Sequence, residues 1–165
     1  MTDKNVSIMN IGSMGYLPQV FKKIENEKKL NIVYLGGSIT MGCNATKTEL
    51  RYVDRSAKWW QTNFPDAEIS YFNAGIGATT SQFGVARVQE HVLDKQPDLV
   101  FVEFSVNDSS SPLFMETYES LVRRLLKAES VKAVVLINNL FYDTGTNAQG
   151  IHLSLIHISE PTRQE

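Results

Sequence analysis

Cysteine and histidine are scarce in this sequence. Its 165 residues include one cysteine, Cys43, and three histidines. A single cysteine cannot form an internal disulfide, and with no histidine beside it Cys43 is typical of a small packing residue. We assign Cys43 no catalytic or metal-binding role.

Long apolar runs and an excess of one charge are also missing. The start of the chain has no apolar stretch of signal-peptide length behind a basic cluster, and no later run approaches the thickness of a bilayer. The 16 basic and 18 acidic residues are scattered and leave a formal charge of -2, which gives no footprint for nucleic acid or an anionic membrane. With Met1 as the true start, we expect a cytoplasmic protein whose partner is a small molecule; export stays open if the N-terminus is incomplete.

Short apolar segments alternate with helical patterns along the chain. An almost wholly apolar segment closed by glycines, such as residues 31–36, is typical of a parallel strand covered by helices on both faces. The alternation predicts one α/β domain, a three-layer α/β/α sandwich with a flavodoxin-like parallel sheet that gathers ligands at the carboxyl ends of its strands. The candidate strands are residues 31–36, 68–73, 98–104 and 131–138, and the candidate helices are residues 16–30, 51–63, 81–93 and 115–128.

The first strand runs directly into the segment GGSITMG, residues 36–42. Ser38 therefore lies on a tight turn just past the carboxyl end of a strand, where a nucleophile would be presented to solvent. Glycines there allow close approach of a substrate, and the following N–H groups can face developing negative charge. An ordinary glycine turn is the alternative, whereas the phosphate-loop and dinucleotide-binding patterns do not fit the spacing.

The next two strands also end in small or polar residues. The second is followed by NAGIGATTS, residues 73–81, and the third by EFSVNDS, residues 103–109. A serine after the first strand, a glycine after the second and an asparagine after the third resemble the SGNH, or GDSL, hydrolase family over residues 31–139. The resemblance implies that Ser38 is the nucleophile. It also implies an oxyanion hole formed by the Ser38 N–H, a second backbone N–H and the side-chain amide of Asn107.

Three positions depart from the family pattern. Gly37 stands where the family's name motif has Asp, and Ser105 stands where the third block usually has Gly. Counting from Asn73 without gaps places Ala78 rather than Gly77 at the second oxyanion position, so we name Gly77 and Ala78 jointly. Asn73 and Asn107 have an alternative interpretation as structural residues that tie turns together.

The family resemblance implies a late Asp-x-x-His block that supplies the general base and its carboxylate, and this block is absent. A serine hydroxyl needs such a base to become a useful nucleophile. We interpret His91 as a solvent-facing helical residue. The residues three positions before the histidines are Val88 for His91, Gln149 for His152 and Ser154 for His157.

The C-terminal segment LSLIHISEPTR, residues 153–163, matches one reading frame of a transposase adapter used to prepare sequencing libraries. We therefore expect residues 1–152 to be a partial hydrolase domain that lacks its last strand and helix, and residues 153–165 to be an artefact. Without the Asp-x-x-His block, this polypeptide is expected to have little or no esterase activity.

The leading functional hypothesis is a serine esterase or acylhydrolase that uses an acyl-enzyme and no metal or cofactor. The GGSIT form of the first block is similar to that of family members thought to deacetylate sugars. A lysophospholipase or thioesterase is the alternative within the class, and a non-catalytic flavodoxin-like binding module is the alternative outside it. Trp59 and Trp60 do not discriminate between these functions, because neighbouring helical residues point about 100° apart and at least one should pack in the core.

Overall fold

The computed structural model describes residues 15–109 and 111–139. Their order of helices and strands confirms the predicted alternation, and the predicted bounds differ from the observed ones by a few residues. A four-residue helix that begins at Ser38 was not predicted. The elements are α1 (Leu17–Glu27), β1 (Lys29–Gly36), α2 (Ser38–Met41), α3 (Tyr52–Asn63), β2 (Glu68–Gly75), α4 (Ser81–His91), β3 (Leu99–Glu103), α5 (Pro112–Lys127) and β4 (Ala133–Leu136).

The four described strands form one parallel sheet in the order β2-β1-β3-β4. Leu35 in β1 pairs with Ala74 in β2 and with Val102 in β3, so the carboxyl ends of these three strands lie side by side. This order confirms the flavodoxin-like α/β topology. The expected absence of a last strand and helix concerns a part of the chain outside the described residues.

Helices cover both faces of the sheet, which confirms the three-layer sandwich. Val33 and Leu35 of β1 belong to a buried cluster with α4 and α5, while Ile32 and Tyr34 belong to a second cluster with α1 and α3. Alternate side chains of one strand thus fill two separate cores, as the period of two requires. Such double burial explains why β1 is apolar at nearly every position.

Strand β2 departs from this pattern because it lies at the edge of the sheet. We expected all four apolar segments to be covered on both faces, but Tyr71 and Phe72 are 39% and 42% exposed. The Lys95 ammonium lies over the Phe72 ring, 5.2 Å from its centre. A cation over an exposed aromatic face replaces part of the missing helix cover.

The adjacent tryptophans of α3 have different environments, as the helical geometry predicted. Trp60 is 6% exposed and stacks on Phe64, whereas Trp59 is 51% exposed. Among the described residues, no helix is both long and apolar enough to span a bilayer.

Candidate active site

Ser38 is the first residue of α2, directly after the buried end of β1. Two hydrogen bonds fix the turn: the Gly37 N–H donates to the Glu103 carbonyl at 3.2 Å, and the Ile76 N–H donates to the Gly36 carbonyl at 3.1 Å. Because Ser38 begins the helix, its own N–H has no carbonyl one turn earlier to bond to. The turn therefore presents a half-buried hydroxyl and a backbone donor at the carboxyl edge of the sheet.

Helix α2 rests on the end of β2. A Cβ added to Gly75 would lie 2.2 Å from the Met41 backbone nitrogen, so only glycine allows this approach. Asn73 donates from Nδ2 to the Thr40 carbonyl at 2.8 Å and accepts the Gly75 N–H at 2.9 Å. Asn73 is thus a structural asparagine, which is the alternative that the sequence had left open for it.

Asn107 lies against the nucleophile turn from the third strand. Its Nδ2 donates to the Thr79 carbonyl at 2.7 Å, and the same atom would lie 2.8 Å from a Cβ added to Gly37. The missing side chain at Gly37 therefore makes room for the Asn107 amide. A primary amide has two N–H donors, so the bond to Thr79 leaves one for a ligand. Asn107 ties the loops together and still retains a donor beside Ser38.

The loop after β2 carries the two candidate backbone donors. Thr79 Oγ1 donates to the Ile76 carbonyl at 2.7 Å and closes the loop. Ala78 has a φ of 57°, a left-handed conformation that costs a residue with a Cβ about 1–2 kcal/mol. Within the described residues, neither the Gly77 nor the Ala78 N–H donates to a protein group. Both donors are available, and the geometry does not separate them.

Asp108 fixes this loop through α4, which the sequence analysis did not predict. The side chain is 2% exposed, and its Oδ1 accepts the Ser81 N–H at the start of α4 at 2.9 Å. Burial raises the pKa of the Asp108 carboxyl, and the hydrogen bonds from Ser81 oppose that shift. In the described part of the chain, Asp108 Oδ2 and the Tyr118 hydroxyl are buried without a hydrogen-bond partner. Asp108 and Ser81 are 27 residues apart in the sequence, so no local pattern predicted this contact.

Glu103 forms a second buried polar cluster beneath α2. It is 1% exposed, and the Thr40 and Ser105 hydroxyls each donate to its carboxylate at 3.4 Å. Ser105 Oγ also accepts the Asn139 N–H at 2.9 Å. Ser105, which stands where the family usually has Gly, therefore has a structural role. Burial raises the pKa of Glu103, and the hydrogen bonds to its carboxylate oppose that shift. The Tyr52 hydroxyl shares a hydrogen bond with Thr40 at 2.8 Å and extends the cluster to α3.

Arg87 joins the ends of β1 and β2 from the face of the sheet that α4 and α5 cover. Its guanidinium donates to the Ala74 carbonyl at 2.6 Å and to the Gly36 carbonyl at 3.0 Å. Burial lowers the pKa of Arg87. His91 is half-buried, with Nδ1 3.3 Å from Arg87 Nη1, so it is not the solvent-facing residue that we expected. It is the only histidine among residues 15–109 and 111–139, and its contact is Arg87 rather than Ser38.

The fold and the serine turn define a flavodoxin-like α/β protein with its candidate site at the carboxyl edge of a parallel sheet. The chain belongs to the GDSL-like lipase/acylhydrolase family, whose model matches residues 34–154. This confirms the resemblance found in the sequence. No curated protein matches the sequence.

Solved structures of esterases share the fold. A two-domain esterase active on acetylated mannans is 47% identical, with a TM-score of 0.83, over 90% of this chain and 40% of that one. The same esterase crystallised with mannopentaose is similar at a TM-score of 0.84, over 92% of this chain and 42% of that one. This chain thus spans about two-fifths of that esterase. A catalytic mutant of an acetylxylan esterase from Geobacillus stearothermophilus is 19% identical, with a TM-score of 0.63, over 79% of this chain and 71% of that one, and shows the fold alone.

Proposed function

We propose that the protein to which this chain belongs hydrolyses O-acyl esters of a carbohydrate, with acetyl as the preferred acyl group, through an acyl-enzyme at Ser38. The observation that carries the proposal is the meeting of three features at one sheet edge. Ser38 begins α2, the Asn107 amide lies against the turn that holds Ser38, and the 77–78 loop offers unpaired N–H groups. Donors aimed at a developing oxyanion are typically the largest single contribution to acyl transfer.

In the proposed first step, Ser38 Oγ attacks the acyl carbonyl carbon while its proton passes to a general base. The carbonyl oxygen becomes an oxyanion that accepts hydrogen bonds from the Ser38 N–H, from Gly77 or Ala78, and from the free N–H of Asn107. Collapse of this intermediate breaks the bond to the sugar oxygen, which takes up the proton from the protonated base and leaves as a hydroxyl. Water then attacks the acyl-Ser38 ester by the same route and releases the carboxylic acid.

The general base is proposed to come from outside these 165 residues. Residues 15–109 and 111–139 contain no Asp-x-x-His sequence, and His91 is held at the Arg87 guanidinium. Residual acceleration from oxyanion contacts and binding alone amounts to about 10³ to 10⁴ over water. We therefore expect the 165-residue chain to hydrolyse esters weakly or not at all.

Two observations favour a carbohydrate ester over the other acyl substrates. The esterase that is 47% identical to this chain is active on acetylated mannans. The nucleophile turn itself, residues 37–42, also carries a single exposed large apolar side chain, Met41. A lysophospholipase or thioesterase needs an apolar groove for its acyl chain, and a binding module needs no reactive serine.

The test uses the parent protein, meaning the product of the source gene when its reading frame is resequenced and followed past codon 152. Acetate release from acetylated manno-oligosaccharides and from a small synthetic acetyl ester should fall to background in Ser38→Ala. A matched Cys43→Ala variant changes an exposed residue of the same turn and should retain wild-type rates. Esters of longer acyl chains should react more slowly than acetyl esters. Unchanged turnover in Ser38→Ala would overturn the assignment and favour the binding module.

The remaining expectations from the sequence stay predictions. They are a cytoplasmic location, the absence of nucleic-acid and membrane partners, and the adapter origin of residues 153–165. Resequencing the gene through codon 152 tests the last of these directly, since a downstream Asp-x-x-His after another strand would complete the triad.

A further inference from the structure

A partly exposed polar patch lies beside the nucleophile turn and takes no part in the chemistry described above. It consists of Arg51, Asp54 and Tyr71, which we call the Arg51 patch. Arg51 donates from Nε and Nη2 to the two carboxylate oxygens of Asp54 at 2.6 and 3.0 Å. The Tyr71 hydroxyl donates to Asp54 Oδ1 at 2.9 Å. One carboxylate thus holds a guanidinium and a phenol ring in fixed positions.

The patch is in direct contact with α2. Arg51 Nη1 lies 3.5 Å from the Met41 carbonyl oxygen, and a Cβ added to Gly42 would lie 2.0 Å from Arg51 Cδ. Gly42 has a φ of 104° and donates its N–H to the Ser38 carbonyl at 3.0 Å. The Arg51 side chain therefore packs on the residue that closes the helical turn begun by Ser38. The Arg51 end of the patch thus lies one helical turn from Ser38, on the side of the turn toward β2, whereas Tyr71 pairs with Ile32, four residues before the ends of β1 and β2.

The patch keeps unused hydrogen-bonding capacity and an exposed aromatic ring. Tyr71 is 39% exposed, and the Arg51 and Asp54 side chains are 27% and 11% exposed. In the described part of the chain, Nε, Nη1 and Nη2 of Arg51 each donate one hydrogen bond, which leaves two of the five N–H groups for a ligand. Arg51 lowers the pKa of Asp54, so the carboxylate stays ionised at neutral pH. Fixed donors and acceptors next to an aromatic face suit a ligand that is polar at its rim and apolar on its ring face.

A sugar ring has this chemistry. Its vicinal hydroxyls match a planar guanidinium and a carboxylate, and its C–H face packs on an aromatic ring. Preorganised side chains lose little entropy on binding, which matters for a small polar ligand. The exposed aromatic residue of α3, Trp59, lies near the C-terminal end of that helix and contacts Phe64. Helix α3 begins at Tyr52, whose hydroxyl forms a hydrogen bond with Thr40 of α2. Trp59 therefore lies at the end of α3 that is away from α2.

We propose that the Arg51 patch is a sugar subsite that holds a pyranose ring next to the acylated one, in an oligosaccharide whose acyl group reaches Ser38. The inference rests on the proposed function, because it assigns the alcohol part of the ester to the β2 side of the nucleophile turn. Arg51 and Asp54 bind ring hydroxyls, and Tyr71 packs on the ring.

The test measures binding by the 165-residue chain, so it needs no turnover. Mannopentaose without acetyl groups is titrated into ¹⁵N-labelled protein, and amide shifts map the contact. Residues of the Arg51 patch and α2 should shift. Tyr71→Ala and Asp54→Ala should each weaken binding about tenfold or more, while Tyr71→Phe, which keeps the ring, should weaken it only about threefold. Trp59→Ala is the matched control and should bind as wild type does. Spectra of each variant show whether it is folded.

Shifts centred on Trp59, loss of binding in Trp59→Ala, or folded Tyr71→Ala and Asp54→Ala variants with wild-type affinity would overturn the subsite. Absence of any binding to the folded wild-type chain would overturn it as well. The proposed esterase function is read separately from Ser38-dependent hydrolysis of a small acetyl ester, which does not use the subsite. If that activity is present and binding does not map to the Arg51 patch, the function stands and the subsite is wrong.

Discussion

Replacing Gly75 by alanine should damage the nucleophile turn. The new Cβ would lie 2.2 Å from the Met41 nitrogen and 2.6 Å from the Thr40 carbonyl carbon, which are both backbone atoms of α2. These separations are ~1 Å short of ordinary contact, so the helix must move away from β2. Such overpacking costs about 1–3 kcal/mol, and losing the Asn73–Thr40 hydrogen bond adds about 1 kcal/mol.

We therefore expect Gly75→Ala to lower the free energy of unfolding of the 165-residue chain by about 2–4 kcal/mol in a urea titration. Gly77→Ala is the matched control, because its Cβ would meet only the flexible end of Met41, at 3.3 Å. It should cost less than about 1 kcal/mol. Equal effects of the two substitutions, or a loss below about 0.5 kcal/mol for Gly75→Ala, would refute the close approach of α2 to β2.

Three further predictions concern the oxyanion loops and the buried acid. Ala78→Gly should stabilise the chain by about 0.5 kcal/mol, because relief of the positive φ outweighs the greater conformational entropy of glycine in the unfolded chain. Ala86→Gly, in the middle of α4, should cost about 1 kcal/mol. Thermal melts that give the same sign for both substitutions would contradict this. Glu103→Gln should flatten the pH dependence of the free energy of unfolding. Because the Glu103 pKa is raised in the folded state, the folded chain binds the proton more tightly, and stability falls as the pH rises above the usual carboxyl pKa of 4.5 toward the raised one. Glutamine does not ionise and removes that fall. Urea titrations from pH 4.5 to neutral check it, and an unchanged slope would show that Glu103 ionises as freely when folded. In the parent protein, Asn107→Ala should lower kcat for acetyl ester hydrolysis by about 10² to 10³ with little change in KM, and an unchanged kcat would assign Asn107 a purely structural role.

The fold could be predicted because its strongest signals are local. The apolar segment ending at Leu35 and the helical period of Tyr118, Leu121 and Leu125 each report burial on a defined face. The exposure of β2 could not be predicted, because an edge strand of a parallel sheet can be as apolar as a central one. Whether a strand such as that containing Phe72 receives a helix on its outer face depends on sheet order, which the composition of the segment does not encode.

The candidate site was predicted only in its main positions. Ser38 and Asn107 stand out because each follows a strand within a recognisable block. The contacts of Asp108 with Ser81 and of Arg87 with the strand ends were not predicted, because they join segments that are far apart in the sequence. Their roles become visible only when the sheet brings those segments together.

The most direct test of the account is to trap the acyl-enzyme. The parent protein is mixed with a synthetic acetyl ester, quenched in acid within the first turnover, digested and analysed by tandem mass spectrometry. If Ser38 is the nucleophile, one acetyl group will be found on Ser38; it will be absent from Ser38→Ala and unchanged in Cys43→Ala, which removes the exposed thiol of the same turn. An acetyl group on Cys43, or turnover that continues in Ser38→Ala, would contradict it.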